Sequence, residues 1–183
     1  MNIAWVISNN TDNSHLEYDF MSSIAPSWGS YKTWQVYKTD NCICTDLSTA
    51  NEMLSRGLQT VSNFWVPESF FVDLGRPDNV QLIGGNFVND NYPYKDDLVS
   101  LHLSSTNADI ILMLGFDLSS LDSMSTQDKK NYYLNILHLI KNNSDKQFVL
   151  VNYNNDLSDM FNDLSNLSAD TDDSVKDLLF IHK

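Results

Sequence analysis

Glycine is scarce in this chain, six in 183 residues, and none of the six falls in a phosphate-binding pattern. Neither a G-x-G-x-x-G fingerprint nor a G-x-x-x-x-G-K-[ST] loop is present. A backbone cradle for pyrophosphate needs glycines so that the main chain can approach the phosphates, which argues against a standard NAD or ATP site. The G-x-S-x-G elbow of a serine hydrolase is missing as well. Only two cysteines occur, Cys42 and Cys44. One residue apart, they supply no disulfide framework. As zinc ligands they would need two partners, and His15, His102, His138 and His182 show no metal-ligand spacing.

Long apolar stretches are also lacking. Runs stop at five residues, as in Ile110–Leu114, against the ~20 that a bilayer-spanning helix needs. The opening "MNIAWVISNN" has no basic start and no small-residue cleavage site, so no secretory signal is read. The sequons at Asn9, Asn142 and Asn166 then read as chance matches in an Asn-rich chain. The expectation is a cytoplasmic protein with no membrane partner, no metal and no cofactor.

Basic residues are few: 11 Lys and Arg face 24 acids, for a net charge of −13. Only Glu17, Glu52 and Glu68 are glutamates, so the charge is aspartate. It is spread evenly, with 12 acids and 5 bases in residues 1–100 and 12 and 6 in the remainder. A diffusely negative surface repels a phosphate backbone, and no nucleic-acid partner is expected.

What is present is a hydrophobic content of 42%, enough for a packed core. Residues 2–8, "NIAWVIS", read as a buried strand. Ser14 and Glu17 have capping-box spacing ahead of a helix to about Ile24. Residues 33–37 and 41–45 suit a hairpin, with a short helix as the alternative for the first piece. Thr49 and Glu52 form a second capping box for a helix over about 49–61. Strands follow at "NFWV" and "VQLIGG", separated by the turn "GRPDN". "KDDLVSLHL" reads as helix, with Asp96 and Asp97 placed to favour the positive end of its dipole.

"ADIILMLGFD" is apolar on both faces, as a central parallel strand should be. Tyr133, Ile136, Leu137 and Ile140 define a helix over about 126–142. "QFVLVNY" is a further strand, and "NLSA" an edge strand between acidic helical segments near 156–164 and 172–180. Strands alternating with helices predict one α/β domain over 1–183, a three-layer Rossmann-like fold with a mainly parallel sheet.

In such folds ligands sit beyond the carboxyl ends of the strands. That topology singles out Ser8 to Asp12, Asp46, Gly115 to Asp117, and Asn152 to Asp156. The amide and hydroxyl side chains of this loop, with Asn9, Asn10 and Asp12 as its candidate residues, could hold a sugar or base, or the loop serves as a turn and cap. Gly115 closes the central strand, and Asp117 follows where catalytic or ribose-binding acids project; the alternative is a tight turn with its cap. Asp170-x-Asp172 has the form of a metal and nucleotide-sugar motif, but no calcium-loop glycine accompanies it. Capping the last helix accounts for these acids.

The stretch "SWGSYKTWQVYK" places Trp28, Tyr31, Trp34 and Tyr37 at every third position. Were it extended, Trp28 and Trp34 would share a face with Lys32 and Lys38, a lysine-flanked indole pair able to stack a base or sugar. The competing account puts these rings in the core with lysine stems packed over them, and it is the favoured one.

The run "APSWGSYKTWQVYKTDNCICTDL", with "NFWVP" and "IILMLGFDLS" downstream, resembles uncharacterised proteins of T4-like marine phages. The resemblance implies a phage or marine metagenomic origin, hence a host cytoplasm, in keeping with an AT-rich composition, and it transfers no activity. The expected function is binding of a nucleotide, nucleotide sugar or sugar at the strand ends, with a transferase among the activities such a site could serve. The alternatives are a non-catalytic phage or host interaction protein, a homo-oligomer whose α/β core is only a scaffold, and, ranked last, an acidic DNA-mimic inhibitor.

Overall fold

The computed structural model describes residues 1–8, 22–84, 95–116, 125–151, 163–170 and 175. Its centre is a strand pair that the hydrophobic pattern dictates. In β1 (Ile3–Ile7) and β6 (Ile110–Leu114) every residue is apolar, and the two pair in parallel with Trp5 opposite Leu112. Successive side chains of a strand point to opposite faces. Trp5, Ile7, Ile110, Leu112 and Leu114 therefore pack on one face, while Ala4, Val6, Ile111 and Met113 pack on the other. Strands apolar on both faces are stable only where both faces are covered.

Six more strands extend this pair: β2 (Ser27–Ser30), β3 (Asn41–Ile43), β4 (Asn63–Pro67), β5 (Val80–Ile83), β7 (Gln147–Val151) and β8 (Leu167–Asp170). All eight are parallel, in the order β5-β4-β3-β2-β1-β6-β7-β8. The α/β architecture with a parallel sheet is thus as the sequence predicts. The chain walks outward from β1 to β5, returns to the far side of β1, and walks out again to β8. The walk reverses between β1 and β6, which makes their carboxyl ends the switch point.

Four helices accompany the described strands: α1 (Tyr31–Tyr37), α2 (Leu47–Ser55), α3 (Lys95–Asn107) and α4 (Thr126–Asn142). Val99 and Leu101 of α3 and Tyr132, Tyr133, Ile136 and Ile140 of α4 bury against the Val6–Met113 face. Ala50 and Met53 of α2 cover Cys42, Cys44, Phe64 and Val66 on the opposite face. Ser100, Ser104 and Ser105 of α3 are fully buried, and their hydroxyls donate to carbonyls three or four residues back in the same helix. Such small, self-satisfied side chains let α3 lie close to the sheet. Asn166 closes the far end of α4, its amide donating to the carbonyls of Ile140, Asn143 and Lys146.

Two local expectations are corrected. Residues 33–37 and 41–45 form no hairpin: Ser30 accepts a hydrogen bond from the Thr33 amide and caps α1, and β3 then pairs in parallel with β2. The second helix begins at Leu47 under an Asp46 cap, because the Asp46 carboxylate takes the Thr49 amide at 2.8 Å. That helix ends at Ser55, before Gly57 enters the left-handed region at φ 77° and opens a single 3₁₀ turn, Leu58–Thr60. The helix expected over 14–24 and the acidic segments near 156–164 and 172–180 fall almost wholly outside the described residues.

Gly29 sits where β2 meets α1, and a Cβ there would lie 2.9 Å from Thr33 Cγ2 and 3.2 Å from Thr39 Cγ2. Both threonines are buried. Gly29→Ala is expected to lower unfolding stability by about 1–3 kcal/mol, the usual cost of overpacking, read as a fall in the urea midpoint at unchanged m-value. An unchanged midpoint would show that the β2–α1 contact is looser than these distances.

Candidate functional site

At the carboxyl edge of the sheet the strands end in hydroxyls. Ser8 follows β1, is fully buried, and its amide donates to Leu114 O at 2.9 Å. Ser30 ends β2, and its Oγ lies 3.3 Å from Thr33 Oγ1, which donates to Ile7 O. Beyond β3 comes Thr45. Helix α3 starts above these three strand ends, and its first turn carries Asp96 and Asp97.

The two acids grip different strands. Asp97 is completely buried, and Ser8 Oγ donates to its Oδ2 at 2.5 Å. Asp96 Oδ1 accepts from both the amide and the hydroxyl of Thr45, at 3.1 and 2.5 Å. Adjacent helical residues lie about 100° apart around the axis, so one side chain reaches β1 while the other reaches β3, with the helix passing over β2. Both sit at the positive end of the α3 dipole. Burial pushes the Asp96 carboxyl above its ordinary range, against the opposing effect of the Thr45 hydrogen bonds and the Lys95 charge. Since Thr45 uses Oδ1 for both donations, Asp96 Oδ2 has no hydrogen-bond donor among the described residues.

Gly115 follows Leu114, whose carbonyl takes the Ser8 amide, and it ends β6 at φ 71°. A left-handed conformation is nearly strain-free only for glycine, which supports the tight-turn reading at the switch point. Asp46 is an exposed cap of α2, its carboxyl held below the usual value by the Thr49 hydrogen bonds. Asn9, Asn10, Asp12 and Asp117 lie outside the described residues, as do Asn152 to Asp156.

The aromatic stretch divides between the two faces, because the chain turns from strand to helix at Tyr31. Trp28 belongs to β2 and is buried in the α3–α4 core, tilted on Trp65 with ring centroids 5.5 Å apart. Trp34 belongs to α1, packs against the Cys42–Phe64 core on the other face, and stacks on Tyr31. Lys38 Nζ stands 4.1 Å from the Trp34 ring centroid, and Lys32 is exposed on α1. The lysine-flanked indole pair of the extended reading is therefore not formed, and core packing accounts for Trp28.

Cys42 and Cys44 are buried strand residues. Burial raises both thiols, Cys44 to about 12, so neither offers a thiolate near neutral pH. Among the described residues no group of three or more His, Cys, Asp or Glu side chains could hold a metal ion, and no helix is long and apolar enough to cross a membrane.

Sequence reasoning named Ser8 and Gly115 but missed Ser30, Thr45, Asp96 and Asp97 as a group. The available signal was the pair "DD" opening the helix that leads into the most apolar strand. One acid in a first turn is satisfied by the dipole alone, whereas two adjacent acids point about 100° apart and can reach two different strand ends. No family model, curated protein or solved structure was found to match the chain.

The raised Asp96 value has a sign that can be checked. A carboxyl whose folded pKa exceeds its unfolded value costs stability once the unfolded chain has ionised, and that cost fades as pH falls through the folded pKa. Asp96→Asn keeps the Oδ1 acceptor and removes the charge. Its stability relative to wild type should be most favourable at neutral pH and decline as pH falls toward 3.8, the ordinary aspartate value. Urea unfolding of both proteins across that range reads the difference, and a pH-independent difference would contradict the buried-charge account.

Proposed function

We propose that this chain binds a small hydroxyl-bearing molecule, of the sugar or nucleoside class, at the carboxyl edge of its sheet around Ser8, Thr45, Asp96 and Gly115. The observation that carries the reading is Asp96 Oδ2. It belongs to a part-buried carboxyl whose other oxygen is fixed by Thr45, and it has no donor among the described residues. A pre-oriented carboxylate oxygen accepts hydrogen bonds from ligand hydroxyls, and charge-assisted bonds of this kind are among the stronger ones. The position agrees with the general tendency of open α/β sheets to bind ligands at the switch point. That tendency is an analogy at the level of fold.

The charges favour an uncharged sugar or nucleoside over its phosphate. Two adjacent carboxyls and a chain of net charge −13 oppose a phosphate, and no glycine-rich cradle offsets them. The site is read as a binding site, with Asp96 as acceptor and Ser8 and Thr45 as the groups that orient the two acids. A transferase acting at such a site would need a further catalytic group, for which Asp117 is the sequence-based candidate. A phage or host interaction protein without a ligand is the competing reading.

Isothermal titration calorimetry with nucleosides, free sugars, nucleotide sugars and nucleotides tests the proposal. One uncharged class is expected to bind saturably, its phosphorylated form more weakly, and Asp96→Asn to reduce the affinity by about tenfold, as expected for losing a hydrogen bond to a charged group. No saturable heat with any class, or equal affinity in Asp96→Asn, would overturn it.

A further inference from the structure

Among the described strands, β5 and β8 are the outer members of the sheet. In a parallel ladder only alternate residues of an edge strand bond to their neighbour, so the others turn N–H and C=O groups outward. Natural edges are guarded against stray pairing by charged side chains, proline or a bulge. β8 carries Asp170, whereas β5, Val-Gln-Leu-Ile, carries no charge and no proline. Its register with β4 runs unbroken from Val80 opposite Phe64 to Ile83 opposite Pro67, so no bulge turns it away. β5 is an unguarded edge.

Its side chains leave apolar surface open on one face. Val80 packs into the Cys42–Phe64 core and Ile83 into the core on the other side of the sheet. Leu82 therefore shares the face of Val80, where it is 40% exposed. The crossover from β4 to β5 lies on that face as well, since Leu74 packs in the same core, and it leaves Val72 65% exposed. Carboxylates flank this apolar stretch. Asp78 is exposed two residues before β5, and Glu68 is exposed immediately after Pro67, the residue opposite Ile83. Neither has an ion-pair partner among the described residues. Asp73 adds a third acid to the crossover, against a single base, Arg76.

We propose that the open edge of β5 docks an extended segment of a partner polypeptide, apolar at alternate positions and basic at both ends. Backbone pairing satisfies the outward N–H and C=O groups, as in strand addition to a sheet edge. Alternate apolar side chains cover Val80 and Leu82, and the terminal bases meet Asp78 and Glu68. The stretch from Asp78 to Gly84 covers about 20 Å at the rise of a strand, so a segment of about seven residues spans it. Charge selects a basic partner over a second copy, because two chains of net charge −13 with acids at both ends of this edge repel each other. Docking here needs no ligand at the carboxyl ends of the strands.

Two peptides serve as probes: acetyl-Lys-Thr-Val-Thr-Val-Thr-Lys-amide, and the same sequence with glutamate at both ends. Each reads alike in both directions, so it can pair with either polarity. Backbone amide signals of the ¹⁵N-labelled full chain are followed by NMR at low ionic strength, where surface charges are least screened. The lysine peptide, at up to about 2 mM, is expected to shift the Val80–Ile83 amides saturably, as a weak strand contact should. The glutamate peptide is expected to bind at least about fivefold more weakly, the scale of two exposed ion pairs. Glu68→Lys combined with Asp78→Lys, both at exposed positions, should invert that preference while the amide signals of β1 and β6 stay in place. The proposal is overturned by unmoved amides, by equal affinity for the two peptides, or by a preference that survives the double substitution. Concentration-dependent broadening of the same amides without peptide would also overturn it, since the edge would then pair with a second copy.

Discussion

The hold of α3 on the sheet depends on two carboxyl groups. A parallel sheet that grows outward from its central strand on both sides needs one connection that returns across it, and here that connection carries α3. Asp97 bonded to Ser8 and Asp96 bonded to Thr45 fix the start of this helix over the ends of β1 and β3. The buried serines of its middle turns then let it lie flat against the strands. Burying an acid costs free energy unless hydrogen bonds replace its water. The hydroxyls at the strand ends supply those bonds, and the cost they offset is what makes the geometry specific.

The two ends of the sheet are finished differently. At the amino end, Asn41 donates to Ser27 O and accepts from Asn63 and Trp65, while Asp40 takes the amide and hydroxyl of Ser27. Those side chains consume one another's capacity and lock β2, β3 and β4 in register. At the carboxyl end, Asp96 is left with an oxygen that no described donor meets. Burial raises the energy of that charge, and a ligand hydroxyl would relieve it. The same residue can thus hold the helix through one oxygen and offer the other to a ligand.

Much of the fold was legible in the sequence because periodicity survives tertiary context when a strand is apolar throughout. β1, β6, β7 and the helix over 126–142 were all readable from their apolar spacing, and Gly115 from its position after the central strand. The stretch 28–37 was harder to read. Aromatic and β-branched residues suit a strand locally, but Ser30 caps a helix instead, and that exchange decides which face of the sheet Trp34 meets. The site was the least legible part. Ser8, Thr45 and the Asp96–Asp97 pair are far apart in the chain, each has an ordinary local explanation, and only the strand order brings them together.

The most direct test of this account is a double-mutant cycle between Ser8→Ala and Asp97→Asn, read by urea unfolding. If the Ser8–Asp97 bond holds α3 to β1, the two substitutions should couple by about 1–3 kcal/mol, the range for a buried hydrogen bond to a charged group. Additive effects, with coupling near zero, would mean that the helix is held by its apolar contacts alone and would contradict the account.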